Sequence, residues 1–294
     1  PEASPAAGRR AWRSAFRHHG RGGAEGLVLL PARRLVHVLR GSFLAAGNPG
    51  PAGSLQNRRY LVHLLDHQRS LVLLATAAAR PLRPRRRLLF LAPHFDDECL
   101  LFGSAIAAAV AAGCEVRLVW MTDGGAAGER RRREAAAAAA DLGVTDRHVL
   151  GAPETRLGRR GPWTGRLRRL IEEFAPERIH LPWWGDGHVD HYETARVFAA
   201  ARPRRGGPEE VALSSFWTAL PGGQRLPWRP ERDAALRRHA SQLAEVDYLR
   251  AGRGLGRWLG GAEGPAERHL VLAAGEYARL FRASGAARRA YLRR

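Results

Sequence analysis

Short apolar runs alternate with helical stretches from Arg87 onward, and this alternation restricts the fold more than any other feature of the chain. Strand-like runs occupy 88–92, 115–121, 148–150, 178–181 and 211–218. Helical patterns occupy 98–112, 129–142, 166–174, 192–201 and 231–250. Strands that alternate with helices predict an α/β fold, in which a mostly parallel sheet is flanked by helices on both faces.

Two polar clusters lie where predicted strands give way to helices. Residues 94–98 read His-Phe-Asp-Asp-Glu and directly follow the first apolar run, which Pro93 ends. Residues 188–191 read His-Val-Asp-His and stand at another strand-to-helix junction. Open α/β sheets place their sites at the carboxyl ends of strands, so both clusters are candidates for one functional site.

The residue types in these clusters point to metal-assisted hydrolysis. A catalytic zinc ion takes three protein ligands and keeps one position open for water, whose pKa falls to about 7. His94 and Asp97 are able to bind one ion from one loop, and His188 or His191 would supply the third ligand. Asp96, beside Asp97, is suited to accept the proton of the water. The positive end of the following helix helps keep these carboxylates ionised.

A structural explanation competes with the metal site. Asp96 or Asp97 would also serve as an ordinary cap of the helix that follows. For one cluster alone this alternative is about as good as the metal site. Two clusters, each with His and Asp at the end of a predicted strand, favour the metal site.

The charge is strongly basic, but the sequence does not predict a nucleic-acid partner. The formal net charge is +20, and all 48 basic residues are arginine. The excess of positive charge lies mainly in residues 1–93, which hold 16 arginines against three acidic residues, and no nucleic-acid-binding signature accompanies it. No apolar run approaches the roughly 18 residues that span a bilayer, so no membrane partner is expected. Cys99 and Cys114 lie within apolar patterns and indicate no disulfide framework. We therefore expect a cytoplasmic protein.

The proline-containing segment Arg-Pro-Leu-Arg-Pro at 80–84 marks a predicted domain boundary. We expect residues 1–82 to form a basic N-terminal extension that is partly disordered, and residues 83–294 to form the functional domain. Within the extension, 1–26 reads as disordered, 26–46 as an amphipathic helix, and 55–79 as either helix or strand.

The motifs, taken in order, resemble the PIG-L/LmbE family of zinc-dependent N-deacetylases. The resemblance is carried by Ala-Pro-His-Phe-Asp-Asp-Glu at 92–98, Thr-Asp-Gly at 122–124 and His-Val-Asp-His at 188–191. Arg131 with Glu134, and His-Ala-Ser-Gln at 239–242, are similar to two later family motifs. The resemblance spans 87–282 and implies a Rossmann-like fold.

The resemblance implies a role for each residue of the two clusters. His94, Asp97 and His191 would be the zinc ligands, and Asp96 the general base. His188 would stabilise the oxyanion or protonate the departing amine, and Asp190 would orient a histidine. Family members commonly have proline at the positions of Phe95 and Val189. All polar groups remain, but an aromatic side chain at position 95 is expected to reshape one wall of the pocket.

Family members remove the acetyl group of an N-acetylglucosamine-type sugar, so the expected partner is a small N-acetylated amino sugar. A sugar of bacterial natural-product biosynthesis, such as an aminoglycoside or glycopeptide antibiotic, is the favoured substrate. One alternative is an amidase or deacetylase of a mycothiol-type glucosaminyl-inositol compound. Another is a non-catalytic member of the fold that binds an anionic surface. The oligomeric state is not predicted.

Overall fold

The computed structural model describes residues 70, 72–158, 161–186, 188–203, 206–216, 220 and 222–292, with side chains described to residue 284. The disorder expected at 1–26 and the helix expected at 26–46 lie outside these residues. In the part of the chain that is described, no helix is long and apolar enough to cross a bilayer.

The described residues form a sheet of seven strands in the order β3-β2-β1-β4-β5-β7-β6. The strands are β1 Arg87–Ala92, β2 Glu115–Thr122, β3 Asp146–Ala152, β4 Arg178–Pro182, β5 Glu210–Ser214, β6 Gln224–Pro227 and β7 Ala266–Ala273. Strands β1 to β5 are parallel, whereas β7 runs antiparallel to both β5 and β6. The predicted mostly parallel α/β sheet is confirmed.

Helices connect and cover the strands. They are α1 Asp97–Leu100, α2 Gly103–Ala111, α3 Gly128–Asp141, α4 Trp163–Phe174, α5 Val189–Ala201, α6 Pro230–Leu236, α7 Ala240–Leu243, α8 Tyr248–Gly260 and α9 Ala274–Leu292. Short 3₁₀ turns occupy Gly125–Ala127 and Gly261–Glu263.

The sheet is buried on both faces, which explains why β1 is apolar without alternation. Leu89 and Leu91 point into a core that contains residues of α4, α5 and α9. Phe90 and Ala92 point into a second core with residues of α2, α3 and α6. Successive side chains of a strand alternate between faces, so one short run supplies both cores.

The strand order brings the two polar clusters together. β1 pairs with β2 on one side and with β4 on the other, with Phe90 opposite His180. The loops after β1 and β4 therefore leave neighbouring strands at the same edge of the sheet. The connection after β1 leads to one side of the sheet and the connection after β4 leads to the other. Open α/β sheets form a crevice at the strand ends where the connections diverge in this way.

Two predicted helices are interrupted. The helix expected at 98–112 is divided into α1 and α2, with a break at Leu101 and Phe102. The helix expected at 231–250 is divided into α6, α7 and the start of α8. His239 stands between α6 and α7 with its imidazole fully buried, 2.5 Å from the carboxylate of Glu98. This inward contact, which helical periodicity does not reveal, ends the continuous helix.

Residues from 70 to 80 pack on the sheet domain. The Ser70 hydroxyl accepts a hydrogen bond from Trp184 Nε1 at 2.6 Å, and Leu74 is buried in the core. The backbone N–H of Arg80 donates to the carbonyl of Val271 at 2.7 Å. The boundary at residue 82 stays a prediction, but these contacts show that the described residues before it touch the domain.

Candidate metal and acid–base site

The loops after β1 and β4 bring all six predicted site residues into one place. His94, Asp96 and Asp97 occupy the turn between β1 and α1. His188 is the N-cap of α5, and Asp190 and His191 lie in its first turn. The ring centroids of His94 and His188 are 4.6 Å apart, and those of His94 and His191 are 5.7 Å apart.

Asp97 lies at the centre of the cluster. Its Oδ2 is 3.0 Å from His94 Nδ1 and 3.4 Å from His191 Nε2. Burial alone would raise the pKa of Asp97, but the neighbouring His191 and His94 outweigh burial and hold it below its usual range. Asp97 is therefore a carboxylate flanked by two histidine nitrogens.

Each of these histidines is held by a second carboxylate. Asp190 Oδ2 is 3.1 Å from His94 Nε2, and Asp186 Oδ2 is 2.9 Å from His191 Nδ1. Burial lowers the histidine pKa values, but hydrogen bonds and charges of the carboxylates raise the pKa of His94 to about 10 and that of His191 to about 9. Such carboxylate–histidine pairs fix ring orientation in metal sites.

Asp186 was not predicted from the sequence. Its carboxylate is fully buried and also accepts hydrogen bonds from the backbone N–H of Phe216 at 3.1 and 3.2 Å. The only signal in the sequence is an aspartate five residues before a candidate ligand, His191, and nothing in that spacing indicates which side chain it orients.

The residues fit a zinc-type cation. The buried Nε2 of His191 has no hydrogen-bond partner among the described residues, although it faces Asp97. His94, His188 and His191 each offer a ligand atom, and these atoms lie within 4.8 Å of one another; the same holds for His94, Asp96 and Asp97. Two imidazole nitrogens and a carboxylate oxygen are a donor set that zinc takes in hydrolases.

Asp96 has the properties of a proton acceptor. Burial and the adjacent charge of Asp97 raise the pKa of Asp96 to about 7, close to the value that suits a general base at neutral pH. The guanidinium of Arg131 lies 3.8 Å from Asp96 Oδ2. Asp96 also has an unusual backbone, with φ at 157°.

His188 is neutral, with one ring nitrogen already in use. Burial and the nearby His94 and His191 lower the pKa of His188 to about 3. Its Nδ1 accepts a hydrogen bond from the backbone N–H of Asp190 at 3.1 Å. We assign the ring proton to Nε2 from this contact, because Nδ1 is the acceptor. His188 is thus a neutral N–H donor.

Four of the six residues, His94, Asp96, Asp97 and His188, border an open cleft of about 460 Å³, whereas Asp190 and His191 are fully buried behind it. Within the described residues it is lined by His94, Asp96, Asp97, Leu100, Gly124, Gly125, Ala126, Ala127, Arg131, Glu154, Thr155, His188, Gln242, Glu245 and Tyr248. The wall formed by 242–248 was not predicted as part of the site, because its distance along the chain gives no indication of proximity.

Several side chains have other contacts than the sequence indicated. Arg131 pairs with Glu154 at 2.8 Å. Phe95 is fully buried against Trp120, with ring centroids 5.5 Å apart, and does not line the cleft. The turn directs this side chain into the core behind Gly124, which lines the cleft, so the expectation that an aromatic side chain at position 95 reshapes the wall stays a prediction.

A buried carboxylate, Glu98, lies directly beneath the site. One of its oxygens accepts hydrogen bonds from the backbone N–H of Asp96 at 3.1 Å and from Trp120 Nε1 at 2.8 Å. The other oxygen is 2.5 Å from His239 Nε2. Burial lowers the pKa of His239, but the charge and hydrogen bond of Glu98 raise it above the usual histidine value.

The sequence of this region matches a known family. Residues 89–202 match the PIG-L family, described as GlcNAc-PI de-N-acetylase. A 1D-myo-inositol 2-acetamido-2-deoxy-alpha-D-glucopyranoside deacetylase of Streptomyces avermitilis is 31% identical over 185 residues, which cover 47% of this chain and 63% of that relative. The chain therefore spans less than two thirds of the length of this relative.

Solved structures share the fold. The N,N'-diacetylchitobiose deacetylase from Pyrococcus horikoshii aligns with a TM-score of 0.58 at 20% identity, over 70% of this chain and 90% of that one. The zinc-inhibited form of a teicoplanin deacetylase aligns with a TM-score of 0.53 at 21% identity, over 64% of this chain and 98% of that one. The family match contains both motif loops, so the resemblance is confirmed over residues 89–202.

Proposed function

We propose that this protein is a zinc-dependent hydrolase that removes the N-acetyl group from an amino sugar of the N-acetylglucosamine type. The observation that carries the proposal is the position of Asp97 Oδ2, 3.0 Å from His94 Nδ1 and 3.4 Å from His191 Nε2. Asp96, whose burial and neighbouring Asp97 raise its pKa to about 7, borders the same cleft. The deacetylase named among the relatives supports the same reaction.

His94, Asp97 and His191 would hold the metal. A bound zinc ion supplies Lewis acidity, which polarises the amide carbonyl and lowers the pKa of water into the neutral range. Asp190 and Asp186 hold the two histidine rings with the ligand nitrogens turned toward Asp97. Their role is to fix ring orientation and tautomer before the substrate arrives.

Asp96 would take the proton of the attacking water. The protonated Asp96 would then donate this proton to the departing amine. One residue would thus act first as the base and then as the acid. His188, as a neutral Nε2–H donor, would stabilise the negative oxygen of the tetrahedral intermediate. Its hydrogen bond from Asp190 N favours this role over protonation of the amine.

The charges of the cleft favour an amine-bearing substrate over a phosphorylated one. Four carboxylates border the cleft, from Asp96, Asp97, Glu154 and Glu245. Arg131 is the one arginine among the described lining residues, and it is already paired with Glu154. A natural-product amino sugar with further amines is therefore our first substrate class. The Streptomyces relative favours an inositol-linked glucosaminide as the second.

The test is acetate release by the purified full chain after its metal content has been measured. The panel comprises N-acetylated aminoglycoside pseudodisaccharides, an N-acetylglucosaminyl glycopeptide and N-acetylglucosaminyl-inositol. We expect metal binding, and acetate from at least one compound. Asp96→Asn should retain the metal and lose about a hundredfold in kcat, as removal of a general base does.

Three results would contradict parts of the proposal. A protein that binds no metal after reconstitution would be a non-catalytic member of the fold. A metal-loaded protein that releases no acetate from the panel would not be a deacetylase of these sugars. Normal turnover by Asp96→Asn would remove Asp96 from its role.

A further inference from the structure

The backbone of Asp96 is held in a conformation that side-chain-bearing residues seldom adopt. Its φ is 157° and its ψ is −24°, and no side chain caps α1 at this position. Such a conformation costs free energy and persists only when the surroundings impose it. The turn between β1 and α1 must therefore contain contacts that fix Asp96.

Glu98 makes a direct contact with this backbone. Its Oε2 accepts the hydrogen bond of Asp96 N at 3.1 Å, and its carboxylate is fully buried. Hydrogen bonds to a charged acceptor are roughly twice as strong as those between neutral groups. The contact lies two residues along the chain, so it constrains the turn that also sets the direction of the Asp96 carboxylate.

Glu98 is itself fixed by two distant elements. Trp120 of β2 donates to Oε2 at 2.8 Å, and His239, between α6 and α7, is 2.5 Å from Oε1. Glu98, Cys99 and His239 form a cluster of metal-ligating types. Both carboxylate oxygens already have these partners at hydrogen-bond distance, which favours a structural support over a second metal site.

We propose that Glu98 is a positioning residue that holds the backbone of Asp96 in the conformation needed for proton transfer, and that His239 keeps Glu98 in place. The functional half of this inference rests on the proposed function, in which Asp96 is the base. The structural half, that Glu98 imposes the Asp96 conformation, stands on the hydrogen bonds alone.

A pair of substitutions separates the acceptor from the volume of the side chain. Glu98→Met fills similar space but removes the acceptor, whereas Glu98→Gln keeps an oxygen able to accept from Asp96 N. We expect Glu98→Met to bind the same amount of metal as wild type, with a similar KM and a kcat lowered by about tenfold to a hundredfold, within the usual range for impaired acid–base catalysis. Glu98→Gln should retain most of the wild-type kcat.

Glu267 provides a matched control. It is another buried glutamate, and it accepts backbone hydrogen bonds, from Ser104 N at 2.7 Å and Ala105 N at 3.1 Å. Glu267→Gln should lower the melting temperature without a selective loss of kcat. The proposal would be overturned if the Glu267 variant lost as much kcat as Glu98→Met at the same melting temperature. The loss of kcat would then come from general destabilisation.

Crystal structures give a measurement that needs no turnover. In Glu98→Met the Asp96 backbone should leave its φ near 157° for a common conformation, whereas in Glu98→Gln it should stay. If Glu98→Met does not fold, His239→Leu removes the other support of Glu98, and the same displacement of Asp96 with retained metal is expected.

An unchanged Asp96 backbone in the folded variant that lacks the support would refute the positioning role. A displaced backbone with unchanged kcat would refute its contribution to proton transfer. A metal-loaded wild type that releases no acetate would refute the proposed function instead, and the crystal structures would still decide the structural half.

Discussion

Asp186→Asn tests whether the Asp186 carboxylate holds the His191 imidazole in the orientation and tautomer that bind a metal. Asp186 accepts from His191 Nδ1 at 2.9 Å and from Phe216 N at 3.1 and 3.2 Å. An asparagine at this position has one oxygen and one NH₂ group. With its oxygen toward Phe216, its NH₂ group faces His191 Nδ1 and favours the tautomer that carries the proton on Nε2, which is unable to bind a metal. With its oxygen at the Oδ2 position, 2.9 Å from His191 Nδ1, it still accepts from Phe216 N at 3.2 Å, but its NH₂ group then lies 3.1 Å from the same N–H donor.

The first orientation weakens metal binding directly, and the donor–donor contact at Phe216 disfavours the second, which would preserve it. Loss of such an orienting partner typically lowers metal affinity by about 10- to 100-fold. This change corresponds to about 1.4 to 2.7 kcal/mol of binding free energy. We expect Asp186→Asn to raise the zinc Kd by this factor while the protein remains folded, because the side-chain volume is unchanged.

The assay is competition for zinc against a chromophoric chelator at one fixed pH, with a melting temperature measured beside it. Asp141→Asn is the matched control, because it removes a carboxylate whose partner, Arg238, is an exposed side chain remote in sequence from both motif loops. It should bind zinc as wild type does. If Asp186→Asn also retains the wild-type zinc Kd in a folded protein, the assigned role of Asp186 is wrong.

Three further predictions concern the oxyanion, the ion pairs and the N-terminal segment. His188→Ala should keep the metal and lower kcat by about a hundredfold, as loss of an oxyanion donor does; unchanged kcat would contradict that role. Burial raises the pKa of Glu210, but hydrogen bonds from Arg85 and Arg178 lower it more strongly, so its pKa in the folded protein is below the usual value. The ionised Glu210 therefore stabilises the fold above the free glutamate pKa of about 4.3, and this contribution is lost as the pH falls through the lower folded pKa. Glu210→Gln should therefore lower the melting temperature near neutral pH, and the difference from wild type should shrink in acid; a constant difference would exclude ionisation as its cause. A chain that lacks 1–82 should melt at a lower temperature than one that lacks 1–69, because Leu74 and the Ser70–Trp184 hydrogen bond are lost only in the longer deletion; equal values would show that these contacts contribute nothing.

The parallel part of the fold was accessible from the sequence because its signals are local. The run at 88–92 is apolar throughout, as a strand buried on both faces requires, and the helical pattern at 129–142 nearly coincides with α3, Gly128–Asp141. The antiparallel strands β6 and β7 were not predicted. β6 has only four residues with partly exposed side chains, so it has no apolar pattern to detect.

The site was accessible where its residues lie within a motif and inaccessible where they meet through space. Two compact clusters contain His94, Asp97 and His191, and the His and Asp residues of each cluster are of metal-ligating types. Asp186 and Glu98 act through partners, and a carboxylate that orients a histidine or a backbone looks in sequence like any other acidic residue. Their roles follow only from the distances to His191 and Asp96.

The adjacency of β1 and β4 separates the residues to which the proposed function assigns the chemistry from the rest of the cleft wall. Both reactive loops are anchored to neighbouring strands, so their mutual position is independent of the long stretch of chain between them. The walls of the cleft at 124–127, 154–155 and 242–248 come from other segments. If the proposed function is correct, exchange of a loop in these walls would change the substrate, while the reactive groups keep their anchors. Directed evolution toward a new sugar should begin there.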